Sequence, residues 1–174
     1  MLAAALVRVE RAIGAALDPL LAVVRVAVIG LAVGIVLVTF VQVVRRYVFN
    51  DAFFGAEELA RFMFTWLIFL GGTVALDRGL HFAVDVLVNV LPSTVQRAIF
   101  VLVQAIILTV LAILLVKGVQ LTALNWRQLS PAMQIPISVP YAAIPTASML
   151  MILVVLRRLC RGVLRPLPFA SEQS

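Results

Sequence analysis

The sequence predicts an all-α membrane protein with four transmembrane helices, an N-terminal amphipathic helix, and a short interfacial segment between the second and third spans. Of the 174 residues, 64% are hydrophobic and 13% are charged. In soluble domains, roughly 45–50% of the residues are apolar and about 25% are charged. The apolar residues fall into four runs that are long enough, or nearly so, to cross a bilayer core. The predicted organisation is an amphipathic helix over 1–17, a four-span membrane domain over 18–160, and a basic cytoplasmic tail over 161–174.

Residues 1–17 place aliphatic side chains on one helical face and two arginines on another, which predicts an interfacial helix lying in the plane of the membrane. Asp18 and Pro19 then form a helix-start signal, because Asp accepts hydrogen bonds from free backbone N–H groups and Pro is tolerated in the first turn. The first span is predicted over about 20–46. Arg45 and Arg46 close it as basic interface anchors.

The second span, predicted over about 56–76, carries charges in its first turns. Glu57 and Glu58 suit the positive end of the helix dipole, and Glu57 with Arg61 is a favourable pair at i,i+4 spacing. Trp66 belongs to an aromatic cluster further along. The charged group has three possible interpretations, namely a buried ionic cluster, a partner contact, or solvated charges at the end of the span. A structural role between helices or subunits is favoured.

The connection between the second and third spans contains an apolar stretch that is too short to cross a membrane, and it predicts a re-entrant or surface-lying segment. His81 and Asp85 face one way if this stretch is helical. A hydrogen bond between them is favoured over a metal site, because too few further ligands lie nearby. Ser93 with Gln96 forms a capping box that opens the third span, predicted over about 94–117.

The fourth span is predicted over about 138–158, with Ser138 as its cap and a bend at Pro145. Orientation follows from the 14 basic residues. Five lie on the side opposite the termini, and the other nine lie on the side of both termini, which predicts cytoplasmic termini. The five are Arg45, Arg46, Arg61, Lys117 and Arg127.

Polar groups at the middle of the predicted spans are limited to threonines, Gln104 and Ser148. A carrier of ions or polar solutes needs charged or strongly polar groups at this depth. The sequence also lacks a nucleophile–base pair and a phosphate-binding loop, so no enzyme activity and no cofactor are predicted. The basic residues flank apolar runs instead of forming a patch with interleaved aromatics, which argues against nucleic acid and favours contacts with membrane lipids.

Gly30 and Gly34 form a GxxxG pair in the first span, and Gly71 with Ala75 repeats the small-residue spacing in the second. Small residues let helix backbones approach closely within a membrane. The spacing does not tell whether the partner is another span of this chain or another subunit.

The sequence resembles the small permease subunit of tripartite ATP-independent periplasmic (TRAP) transporters, the DctQ family. The similarity covers about residues 20–160 and rests on the order and spacing of several short stretches. These are 45–50 (RRYVFN), 57–62 (EELARF), 66–71 (WLIFLG), Arg78-Gly79, His81, Val84-Asp85, and 130–136 (SPAMQIP) leading to Pro140-Tyr141 and Ile144-Pro145.

The resemblance implies a four-span subunit of the bacterial inner membrane with both termini in the cytoplasm. It implies a complex with a large permease subunit, which carries the substrate and sodium sites, and with a periplasmic solute-binding protein. The small subunit is expected to scaffold the large one and to help dock the binding protein during uptake of an organic anion.

Two other classes of function compete with this interpretation. One is an autonomous four-span multidrug exporter that uses Glu57 or Glu58 as a proton-coupled carboxylate, although both lie near the end of a span. The other is a membrane enzyme or electron carrier. A pair of haem-ligating histidines is excluded within this chain, because His81 is its only histidine.

Overall fold

The computed structural model describes residues 2–51, 55–78 and 93–164. The helices within these ranges are α1 (Leu2–Val48), α2 (Ala56–Asp77), α3 (Ser93–Leu124), the short α4 (Ser138–Tyr141) and α5 (Ala143–Leu164). Four segments are long and apolar enough to cross a membrane, namely Leu17–Val48, Ala56–Asp77, Ala98–Leu124 and Ser138–Cys160. The predicted all-α membrane architecture with four transmembrane helices is confirmed.

The predicted helix start at Asp18–Pro19 is wrong, because α1 continues through both residues from Leu2 to Val48. Proline inside a helix removes one backbone donor and crowds the preceding turn. Here the surroundings offset that cost. Leu17 and Leu21 are buried against α5, and the carboxylate of Asp18 accepts a hydrogen bond from Arg157 on α5. The interfacial position of residues 1–17 stays a prediction.

α3 continues past the predicted end of its span, from Lys117 to Leu124. Gly118 does not terminate the helix, since it lies in close contact with Ile144 and Pro145 at the start of α5. A side chain at this position would collide with α5. The glycine therefore serves close helix packing instead of helix termination.

The sequence predicted Ser138 as the cap of the fourth span, and this is wrong. Ser138 lies inside α4, and Ile137 occupies the capping position without a side-chain hydrogen bond. The helix is interrupted at Ala142 before it continues as α5. Pro145 explains the interruption, because it has no N–H to donate to the carbonyl of Tyr141, one turn earlier. The interruption therefore lies about one turn ahead of the proline, and the predicted bend at Pro145 stays a prediction.

α5 is the central helix, because it packs against α1, α2 and α3, and α2 also packs against α1. One core cluster joins all four long helices at one end of the bundle, and a second joins α1, α2 and α5. Most of the side chains of α1 and α3 whose exposure is described instead face outward, including Val26, Val36, Phe40 and Leu102. These outward faces suit lipid tails or the helices of a partner. The members of the first cluster are Leu17, Leu21, Leu76, Leu111, Val154 and Val155; those of the second are Val24, Leu70 and Leu150.

Candidate functional site

Glu58, near the start of α2, is bound to the loop that joins α3 and α4. Its Oε2 atom accepts hydrogen bonds from the backbone N–H groups of Ala132 (3.1 Å) and Met133 (2.8 Å). Hydrogen bonds to an ionised acceptor are stronger than those between neutral groups. Glu58 therefore links two stretches that are separated by more than 70 residues in sequence.

The loop that Glu58 holds is a tight hairpin, the α3–α4 hairpin, formed by residues 128–137. Its two sides are joined by backbone hydrogen bonds from Ile137 to Gln128 (2.8 Å) and from Ser130 to Ile135 (2.9 Å). Gln134 adopts a positive φ of 55° at the turn. Because the hairpin is closed by its own backbone and anchored by Glu58, its outward residues are presented in a fixed position.

Trp66 makes a second connection between α2 and the fourth span. Its indole Nε1–H donates a hydrogen bond to the carbonyl of Val139 in α4, at 3.2 Å. Its ring also packs against the cluster formed by Val24, Leu70 and Leu150. Glu58 thus holds α2 to the hairpin that precedes α4, and Trp66 holds α2 to Val139 within α4.

Glu57 and Arg61 face outward instead. Their closest charged atoms are 4.0 Å apart, and their side chains are 77% and 73% exposed. A pair with this exposure contributes little to folding. Glu58 is thus committed to the hairpin, whereas the exposed Glu57 and Arg61 remain accessible to a partner.

A larger ionic cluster lies at the opposite end of the bundle. Arg25 on α1 pairs with Asp77 at the end of α2 at 2.9 Å, and Arg158 on α5 donates to the carbonyl of Asp77 at 3.2 Å. Arg157 pairs with Asp18 at 2.5 Å. These contacts join α1, α2 and α5. Sequence reasoning missed them, since it assigned Asp18 to a helix cap and the arginines to membrane topology.

The glycines divide between internal packing and open surface. A Cβ atom on Gly34 would collide with the side chain of Met63 on α2, so this glycine serves the contact between α1 and α2. Positions Gly30 and Gly71 have no heavy atom within 4 Å of a Cβ atom and face open space. In the second span, Gly72 is the glycine that packs against another helix. A Cβ atom added at Gly72 would lie 3.0 Å from the side chain of Met151 on α5.

His81 and Asp85 lie outside the described residues, so their predicted hydrogen bond stays a prediction. Among the residues that are described, no group of three His, Cys, Asp or Glu side chains is placed to hold a metal ion.

The threonines in the middle of the described spans, and Ser148, are bound locally. Thr73 and Ser148 are both buried, and each donates to a carbonyl of its own helix, Phe69 at 3.2 Å and Ile144 at 2.8 Å. Thr39, Thr109 and Thr146 do the same. These groups are occupied by the backbone, so within the described spans they offer no chain of free polar groups for a solute.

Comparison with known proteins agrees with the resemblance seen in the sequence. Residues 35–165 match the family model described as the DctQ component of tripartite ATP-independent periplasmic transporters. A putative TRAP transporter small permease protein of Haemophilus influenzae is 32% identical over 71% of this chain and 76% of its own length.

Two further relatives carry more specific names. The C4-dicarboxylate TRAP transporter small permease protein DctQ of Vibrio cholerae is 37% identical over 47% of this chain and 35% of its own length. The isethionate TRAP transporter permease protein DctMQ of Oleidesulfovibrio alaskensis is 33% identical over 71% of this chain and 21% of its own length. With well over half of its length matched by the family model, this chain belongs to the DctQ family, the small permease components of tripartite ATP-independent periplasmic transporters.

Proposed function

We propose that this chain scaffolds the large permease of a TRAP transporter and helps to dock a periplasmic solute-binding protein, without itself forming the transport pathway. The observation that carries the proposal is the contrast between the inside and the outside of the bundle. Inside, the buried hydroxyl groups of Thr73 and Ser148 are bonded to carbonyls of their own helices, whereas α1 and α3 present extended apolar faces outward. Such faces fit the helices of a larger membrane partner.

The relatives support a large permease as this partner. The DctMQ protein matches this chain over only 21% of its own length, so its name and size fit a fusion of a small and a large permease in one chain. The names of the relatives also include a C4-dicarboxylate and isethionate. Both are organic anions, and we therefore propose an organic anion as the transported solute.

The orientation of the docking surface follows from the distribution of arginine and lysine. Cytoplasmic termini in the bacterial inner membrane place the ionic cluster of Asp18, Arg25, Asp77 and Arg157 on the cytoplasmic side. The start of α2 and the α3–α4 hairpin then face the periplasm. Exposed Glu57 and Arg61, beside a hairpin anchored by Glu58, form a polar surface that a binding protein can reach.

The geometry disfavours the multidrug exporter. Glu58 is bound to two backbone N–H groups of the hairpin, and Glu57 is exposed in the first turn of α2. Neither carboxylate lines the two hollows that the described residues of α3 and α5 border. A proton-coupled carrier needs such a carboxylate where substrate and proton compete for it.

The open face around Gly30 provides the test of the scaffold proposal. Gly30→Leu is expected to reduce recovery of the large permease in a co-purification by roughly tenfold, because a bulky residue blocks close approach of a partner helix. The isolated variant should unfold at the same temperature as the wild type, because no atom lies near this position.

Ala32→Leu is the matched control, since Ala32 is exposed on the same helix but about 200° around its axis. Recovery of the large permease should be unchanged in this variant. Equal recovery with both variants would remove the Gly30 face from the interface. Failure of the wild-type chain to co-purify with its large permease at all would contradict the scaffold itself.

A further inference from the structure

Lys117 is a charged residue on an outward-facing part of α3. Its neighbours on the exposed surface include Leu114 and Leu121, which are 38% and 37% exposed. Its ammonium donates a hydrogen bond to Oε1 of Gln120 at 3.3 Å, and no described carboxylate lies within 4.0 Å of it. Its charge is therefore not balanced by the part of the chain that the structure describes.

Lys117 lies far along the bundle from the ionic cluster, so the carboxylates of that cluster do not balance its charge. The adjacent Gly118 contacts Pro145, which lies about 18 Å along α5 from Arg157 in the ionic cluster. Lys117 is thus well removed from that end of the bundle, and it lies within the apolar segment Ala98–Leu124, where an unbalanced charge is costly. The bond to Gln120, which is nearly one turn further on, directs the ammonium towards the C-terminal end of α3. A long lysine side chain that reaches towards the membrane interface in this way meets the layer of lipid head groups.

Two hollows flank the contact between α3 and α5 beside Lys117. One, of about 380 Å³, is lined by Lys117 and Gln120 together with Leu114, Leu121 and Ile144. The other, of about 660 Å³, is lined by Trp126, Arg127 and Pro145. Both are bordered by Leu124. Their walls are mostly apolar, and their polar groups are cationic or neutral, since no acidic residue lines either hollow.

We propose that this part of the α3–α5 surface is a binding site for an anionic phospholipid. The phosphate accepts hydrogen bonds from the ammonium of Lys117 and from the side-chain amide of Gln120. The acyl chains lie along the apolar walls at Leu114, Leu121 and Ile144. Trp126 and Arg127, beyond the end of α3, lie at the head-group level, where an amphipathic ring and a cation are favoured. The site does not depend on the proposed scaffold role.

Native mass spectrometry of this chain, released from detergent in the presence of phosphatidylglycerol or phosphatidylethanolamine, tests the site. The wild type is expected to retain phosphatidylglycerol in preference to phosphatidylethanolamine. Lys117→Gln should weaken retention of phosphatidylglycerol by about fivefold, and Lys117→Arg should restore it because the charge is kept. Arg61→Gln, which removes an exposed cation elsewhere, should bind as the wild type does.

Three results would overturn the proposal. The first is equal retention of the two lipids by the wild type, and the second is undiminished retention by Lys117→Gln. The third is equal loss in Arg61→Gln and Lys117→Gln, which would mean that net charge alone attracts the lipid. Circular dichroism of each variant shows whether the helices are intact, so that a folding defect is not mistaken for loss of the site.

Discussion

Glu58→Ala is expected to free the α3–α4 hairpin and to lower the free energy of unfolding of the isolated chain by about 1–2 kcal/mol. The substitution removes the acceptor of two backbone hydrogen bonds, from Ala132 and Met133. A hydrogen bond to a charged group contributes about 1.5–3 kcal/mol when it is shielded from water. The smaller expected value allows for the partial exposure of this site, where water can replace part of the interaction.

Trypsin cleavage after Arg127, next to the hairpin, measures its release directly. Cleavage of Glu58→Ala in detergent should be several times faster than that of the wild type. Glu57→Ala is the matched control, because the neighbouring carboxylate is exposed and only weakly paired, and its cleavage rate should not change. Equal cleavage rates for the two variants would show that Glu58 does not anchor the hairpin.

Gly118→Val is expected to destabilise the isolated chain by about 2–3 kcal/mol, through separation of α3 from α5. A Cβ atom at this position would lie 2.9 Å from side-chain atoms of both Ile144 and Pro145, and 3.1 Å from the backbone nitrogen of Pro145. Side-chain atoms can rotate away, but the backbone of a proline cannot yield without moving α5. The two γ-methyl groups of valine increase the overlap.

The loss is measured as a lower midpoint of thermal unfolding, followed by the fluorescence of Trp66 and Trp126. Gly30→Val makes the same chemical change in α1 at a position with no neighbour within 4 Å, so its midpoint should stay within a degree or two of the wild type. A wild-type midpoint for Gly118→Val would contradict the close crossing of α3 and α5 at this glycine.

The four spans could be predicted from the sequence because each is a long apolar run bounded by charged or turn-forming residues. The errors arose where a local signal was overridden by tertiary contacts. Asp18 and Pro19 form a strong start signal, yet the helix continues because Asp18 pairs with Arg157 and Leu17 packs on α5. Ser138 similarly had the right residue type for a cap, but it lies within the first turn of α4.

The candidate site was only partly predictable, for a related reason. The sequence singled out Glu58 and the segment around Pro131, but nothing local indicates that they meet across more than 70 residues. Glycine spacing also did not distinguish internal contacts from open ones. Gly34, Gly72 and Gly118 lie against neighbouring helices, while Gly30 and Gly71 do not. Only the relative rotation of the helices decides which glycine meets which partner.

Solute uptake into proteoliposomes tests the scaffold account most directly. Vesicles would contain this chain alone, or this chain with its large permease, and the solute-binding protein would be added outside, loaded with an organic anion that the complete system transports. The account predicts uptake by the complete system and none above the level of empty vesicles by this chain alone. Uptake of the same anion by the chain alone would contradict it.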